Sequence, residues 1–260
     1  MSDSSADVLL DLRVAGLTAS VARLRGLVEP LSPEQLRDHA YPTEWTIAQV
    51  LSHLGSGAVI FHRRLDASLA GEELDDGFAP TVWEQWNAKT PDEQAADALV
   101  ADAALLERLT QVTADEQARF QLTLGPFTMG YTEFVGLRLN EHVMHTWDVE
   151  VALDPGATLT PAAAALLVDN LELAARFSAE APARASTVRV RTHDPARSFV
   201  LALGPDGVTL EHAADGGAGD IDLPAEAFAR LVYGRLGPTT ADAGAGQPEL
   251  DQLRDVFTGL

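Results

Sequence analysis

The sequence predicts a two-domain α+β protein, with a four-helix bundle over residues 1–157 and a smaller α+β domain over 158–260. Three observations predict it. The length of 260 residues exceeds one compact domain of about 150. Four long stretches before residue 154 carry apolar residues at helical spacing, with breaks between them. Beyond residue 187 the apolar period drops to two, as in half-buried strands.

The first helix shows Val14, Leu17, Val21, Leu24 and Val28 at alternating spacings of 3 and 4, and Pro30 and Pro33 end it. Thr46 reads as an N-cap, with Gln49 three residues on completing a capping box. The second helix then runs over 47–69 on a stripe of Ile47, Val50, Leu51, Leu54, Ala58, Phe61 and Leu65, closed by Gly71. Residues 72–91 are acidic and read as a loop carrying Trp83 and Trp86, both expected to anchor in the core. A third helix over 91–109 opens with Asp92 and Glu93, which suit a helix N-terminus. After the Gly125-Pro126 break, an apolar helix fills 132–153.

In the second domain, 161–180 reads as one Ala- and Leu-rich helix. Val188, Val190 and Thr192 alternate with Arg189, Arg191 and His193 as a strand. Strands over 199–203 and 208–212 flank the turn sequence Gly204-Pro205-Asp206-Gly207. A short strand at 221–223, an amphipathic helix over 224–233, a loop over 239–246 and a last helix over 250–257 complete the chain.

Composition narrows the function. Lys and Arg number 18 against 39 Asp and Glu, for a net charge of −21. Such a field repels phosphate backbones and anionic lipid, so neither nucleic acid nor a membrane is an expected partner. No uncharged apolar run approaches the roughly 20 residues of a membrane span, and no secretory leader is visible, so a cytoplasmic location is expected. Zero cysteine excludes disulfides, Cys-ligated zinc, iron–sulfur clusters and a protein-borne thiol nucleophile. Any metal is left to His, Asp or Glu, and any thiol must come from outside.

The fourth helix carries Arg138, Glu141, His145 and Asp148 at spacings of 3, 4 and 3, which place them on one face. Phe134, Val135, Leu139, Val143, Met144 and Trp147 surround them, and a polar stripe in such a helix is costly unless wetted or satisfied. Glu141 and His145 at i and i+4 can reach one metal ion. The same pair also fits an ordinary helical ion pair, or the stripe a solvated face. His53, flanked by Leu51 and Leu54, is a candidate third ligand from a facing helix, or a core histidine bonded to a carbonyl. Three protein ligands would leave positions open, as catalysis requires. His142 points about 100° away from Glu141 around the helix, and His39, His62, His193 and His212 read as surface or strand positions, so none of the five is a ligand candidate.

Two segments carry a family resemblance. Residues 42–54, PTEWTIAQVLSHL, resemble the W-(S/T)-hydrophobic-…-H-L segment of mycothiol-dependent maleylpyruvate isomerases, and 141–148, EHVMHTWD, resemble their E-x-x-x-H-x-x-D segment. Residues 229–235, ARLVYGR, are similar to a Gly-Arg motif of the family's second domain. The resemblance implies a DinB-like metal-binding bundle and a sterol-carrier-like second domain. It implies His53, Glu141 and His145 as zinc ligands, with Asp148 and Arg235 as polar residues of an active cleft between the domains. Arg138 joins these catalytic candidates on helical geometry alone. The implied cofactors are Zn²⁺ and mycothiol as thiol cosubstrate; the ligand types alone suit Ni or Fe(II) as well. The implied activity is isomerisation, or mycothiol S-transfer, of a small electrophilic substrate. A non-catalytic small-molecule or lipid-binding protein is the alternative from a different class. Oligomeric state is not legible in the sequence.

Overall fold

The computed structural model describes residues 3–125, 127–214, 219–237 and 247–259. The chain divides into two compact units, Met1–Ala157 and Thr158–Leu260. No helix among the described residues is long and apolar enough to cross a membrane.

The first unit is built on α1 (Asp3–Val28), α2 (Ile47–Ala70), α4 (Pro91–Thr110) and α6 (Tyr131–Leu153). Helix α1 packs on α4 and α6, and α2 packs on the same two, which closes the four into a bundle. Local sequence sets the ends. Thr46 and Gln49 form the full capping box at the start of α2, and Thr90 and Glu93 form one at the start of α4, behind Pro91. Gly71 closes α2 in the left-handed conformation. Leu17, Leu24, Ile47, Leu51, Leu54, Leu105, Phe134 and Leu139 fill the centre.

Two parts of this unit differ from the sequence expectation. Residues 72–91 are not all loop, because α3 (Phe78–Asn87) forms inside them. Ala79, Val82 and Trp86 are buried at spacings of 3 and 4, a helical stripe that overrides the acidic, turn-rich flank. Only Trp86 anchors in the core; Trp83, at the edge of the same stripe, is exposed. A short α5 (Ala114–Arg119) and a hairpin of β1 (Leu122–Leu124) and β2 (Phe127–Met129) precede α6, too short to show a period. Thr113 and Glu116 cap α5 as a third capping box.

Helix α2 carries Gly55 in its interior, where glycine costs about 1 kcal/mol relative to alanine. A Cβ there would overlap the Trp86 ring and lie 2.9 Å from the Ala98 Cα. Gly55 therefore sets how closely α2 approaches α3 and α4.

The second unit opens with α7 (Pro161–Val168) and α8 (Glu172–Ser178) in place of the single expected helix. The break at Asp169 is held from outside: Arg197 Nε and Nη2 donate to the two Asp169 carboxylate oxygens at 2.6 and 2.7 Å. Strands β3 (Ser186–His193), β4 (Arg197–Gly204), β5 (Gly207–His212) and β6 (Ile221–Pro224) form one sheet in the order β5-β4-β3-β6. The β3–β6 pair is parallel and the others antiparallel. Val188, Val190, Phe199, Leu201, Val208 and Leu210 face inward, while Arg189 and Arg191 face out. Helix α9 (Ala225–Val232) packs on β3, β6, α7 and α8, and α10 (Pro248–Val256) follows. Gly234, just past α9, sits at φ +70°, with the Gly259 backbone against the place a Cβ would occupy. The loop expected at 239–246 lies outside the described residues.

Candidate metal centre

The cluster is assembled from α2 and α6. His53, Glu141 and His145 offer ligand atoms that all lie within 4.8 Å of one another. His53 Nε2 is 3.5 Å from Glu141 Oε2, and His145 Nε2 is 3.7 Å from the same oxygen. Ligands about 2.0–2.1 Å from one tetrahedral ion stand about 3.4 Å apart, so this spacing fits a single ion with little adjustment. The His53 side chain is 37% exposed, Glu141 24% and His145 11%, which leaves the His53 side of the cluster open to a ligand.

Asp148, one turn beyond His145 on α6, fixes that ring. His145 Nδ1 stands 2.8 Å from Asp148 Oδ2, and a carboxylate only accepts, so Nδ1 carries the proton. Nε2, on the other side of the ring, faces Glu141 Oε2. Asp148 is fully buried, which suits a residue that orients rather than one that meets substrate.

Trp45 forms a wall that the sequence reading quoted but gave no role. Its ring centroid lies 5.4 Å from His53 and 6.2 Å from His145, nearly parallel to the latter. The loop bearing it is tied down, with Trp45 N–H donating to Pro42 O, and Tyr41 N–H to Asp148 O at 3.2 Å. The Tyr41 ring packs on Trp147 at 4.9 Å.

The electrostatics favour a carboxylate at the centre. Burial works against ionisation of Glu141, but the hydrogen bond from His53 and the charges of His145, His53 and Arg138 outweigh it, holding its pKa at about 2 against an ordinary 4.5. A depressed pKa stabilises the fold above the unfolded value. Metal-free protein should therefore hold this contribution above about pH 4.5 and lose it as pH falls towards 2. Urea unfolding of wild type and Glu141→Gln at pH 6 and pH 3 checks this: the gap between them should narrow at the lower pH.

Arg138 lies in the bundle core with its side chain 3% exposed, and its Nη2 donates to Asp102 Oδ1 at 2.6 Å and to Leu54 O at 2.9 Å. At that level the face it shares with Glu141 is covered by α2 and α4, and the Arg138 charge helps hold Glu141 ionised. Arg235 belongs to the second unit, just after Gly234, and its Nη1 donates to Tyr233 O at 2.7 Å. His142, set aside in the sequence reading, is fully buried and bonded to Asp102. Both sides of α6 are covered by other bundle helices, so a residue 100° from Glu141 is interior too. Asp102 was also passed over, although it falls on the apolar register of Ala98, Leu99, Leu105 and Leu109.

The family model for the mycothiol maleylpyruvate isomerase N-terminal domain matches residues 17–150. The chain belongs to this family. The matched segment contains Trp45, His53, Glu141, His145 and Asp148. The crystal structure of the mycothiol-dependent maleylpyruvate isomerase superposes with a TM-score of 0.62 at 14% identity, over 87% of this chain and 89% of that one. A histidine-to-alanine mutant of that isomerase superposes with a TM-score of 0.61 over the same shares and at the same identity. At that identity the likeness is one of fold, and it extends the family's architecture into the sheet-containing unit. No curated protein matches the sequence.

Proposed function

We propose that the protein is a metal-dependent thiol enzyme that uses mycothiol on a small electrophilic substrate, by isomerisation or by S-transfer. The observation that carries this reading is the convergence of His53, Glu141 and His145 within 4.8 Å, with one side open. Two histidines and one carboxylate suit Zn²⁺, and equally Ni or Fe(II). A divalent ion held there lowers the pKa of a thiol that binds it, so that the nucleophilic thiolate forms near neutral pH. The absence of cysteine is consistent with a thiol supplied as cosubstrate.

The chain's own residues give this chemistry its geometry. Asp148 keeps the proton on His145 Nδ1 and so presents Nε2 as a donor. Trp45 packs beside His53 and His145 and walls that part of the site. In the isomerase branch, thiolate sulfur adds to an activated cis double bond, the resulting single bond rotates, and the thiolate leaves to give the trans product with the thiol regenerated. In the transferase branch, the sulfur stays in the product. The role that the resemblance gives Arg235, binding a substrate carboxylate with two parallel hydrogen bonds, belongs to the same proposal.

Zinc-loaded protein incubated with maleylpyruvate and mycothiol tests the reading. Trans product without net thiol loss marks the isomerase branch, and thiol consumed into a conjugate from an electrophile marks the other. No reaction with mycothiol and any electrophile would reject both. Asp148→Asn should keep the fold but weaken zinc binding by about 10–100-fold, the usual effect of losing a partner that orients a ligand. Competition with a chromogenic chelator measures it.

A further inference from the structure

A second polar cluster lies inside the bundle, and three of its members are sequence neighbours of proposed ligands. Leu54 follows His53, His142 follows Glu141, and Thr146 follows His145. Arg138 Nη2 bridges Leu54 O on α2 and Asp102 Oδ1 on α4. The other Asp102 oxygen, Oδ2, is 3.1 Å from His142 Nε2. His142 Nδ1 is 2.8 Å from Ser20 Oγ on α1 and 3.2 Å from Thr146 Oγ1. One connected network thus ties all four bundle helices together, centred on a carboxylate 1% exposed.

This network is a poor device for stability alone. A buried ion pair is often no better than well-packed apolar residues of the same volume. Arg138 Nε is moreover buried with no hydrogen-bond partner. Space is also reserved for the guanidinium: a Cβ on Gly57 would stand 2.9 Å from Arg138 Nη1. What the network specifies is the rotation and height of α6 against α2, the two helices that carry the ligands.

We propose that Asp102 is a positioning residue for the metal centre, acting through Arg138 and His142 to set where Glu141 and His145 stand relative to His53. This rests on the metal-site reading above. Asp102→Asn should weaken zinc binding by at least about tenfold, in the range seen for outer partners of metal ligands. Part of that loss would come from charge, because Arg138 is left unbalanced. The double variant Asp102→Asn/Arg138→Met removes one charge of each sign, keeps a polar partner for His142, and cuts the ties that Arg138 makes to Leu54 and to residue 102.

The test is zinc affinity by chelator competition on the full chain, with the Co²⁺ absorption spectrum as a second readout and circular dichroism and melting as controls. The expected result is a double variant that melts cooperatively yet binds zinc about tenfold or more weakly and shows a shifted Co²⁺ band. Ser20→Ala, a one-atom truncation on α1 that removes the hydroxyl beside His142 Nδ1, should move both readouts in the same direction by less and decides the matter if the double variant does not fold. Wild-type affinity and an unchanged Co²⁺ spectrum in the folded variants would overturn the positioning role while leaving the metal centre intact. Absence of zinc binding by the wild type would overturn both.

Discussion

His53→Ala should purify as a folded protein that retains almost none of the zinc carried by the wild type. The loss should exceed the roughly 10–100-fold that removal of an outer partner costs, because one of only three protein donors disappears. The fold should survive for a separate reason. The His53 side chain is more than one-third exposed and sits at the open side of the cluster, so its truncation creates no core cavity. Its ring meets that of His145 only in an edge-to-face contact at 4.4 Å. Elemental analysis together with a melt of the chelator-stripped protein separates the two effects: zinc falls, and the metal-free melting temperature stays near that of the wild type. A variant that keeps its zinc would place the ion elsewhere.

Gly55→Ala should produce the largest stability loss of any single methyl addition in the first unit. On propensity alone the change favours the helix by about 1 kcal/mol. The added Cβ, however, would overlap the Trp86 ring and press on the Ala98 backbone. Trp86 cannot swing aside cheaply. It is buried among α2, α3 and α4, the Lys89 ammonium lies 3.7 Å over its ring, and its carbonyl accepts from Gln94 Nε2 at 3.2 Å. Overpacking a filled core costs about 1–3 kcal/mol, so the net sign is destabilising. Urea denaturation of wild type, Gly55→Ala and Gly55→Ala/Trp86→Leu measures it. The smaller side chain should recover part of the loss, a coupling expected of residues in contact.

Much of the bundle was legible because its signals are local. Thr46 with Gln49, Gly71 and Pro91 mark helix ends through backbone chemistry that needs no tertiary partner. Helix α3 was hidden because its stripe of Ala79, Val82 and Trp86 is short and sits behind an acidic segment. The break between α7 and α8 depends on Arg197, 28 residues away from Asp169, and nothing near the break announces it. At the site, Glu141, His145 and Asp148 were legible from helical phase, since one helix carries all three. His53 needed a pairing of α2 with α6 that periodicity does not specify, and the resemblance supplied it. The same phase argument set the buried His142 aside, because phase gives direction around one helix and not what covers that direction. Asp102 in an apolar register was the visible sign that a cation lay opposite, and the pairing holds its carboxyl ionised: burial opposes this, but His142 and Arg138 keep its pKa below the usual range.

The central claim is that His53, Glu141 and His145 together hold one divalent ion. Calorimetric titration of chelator-stripped protein with Zn²⁺ tests it most directly. The account predicts one ion bound per chain, and no such binding by His53→Ala under the same conditions. A wild-type protein that takes up no zinc, nickel or iron, or one that binds zinc equally well without His53, would contradict it.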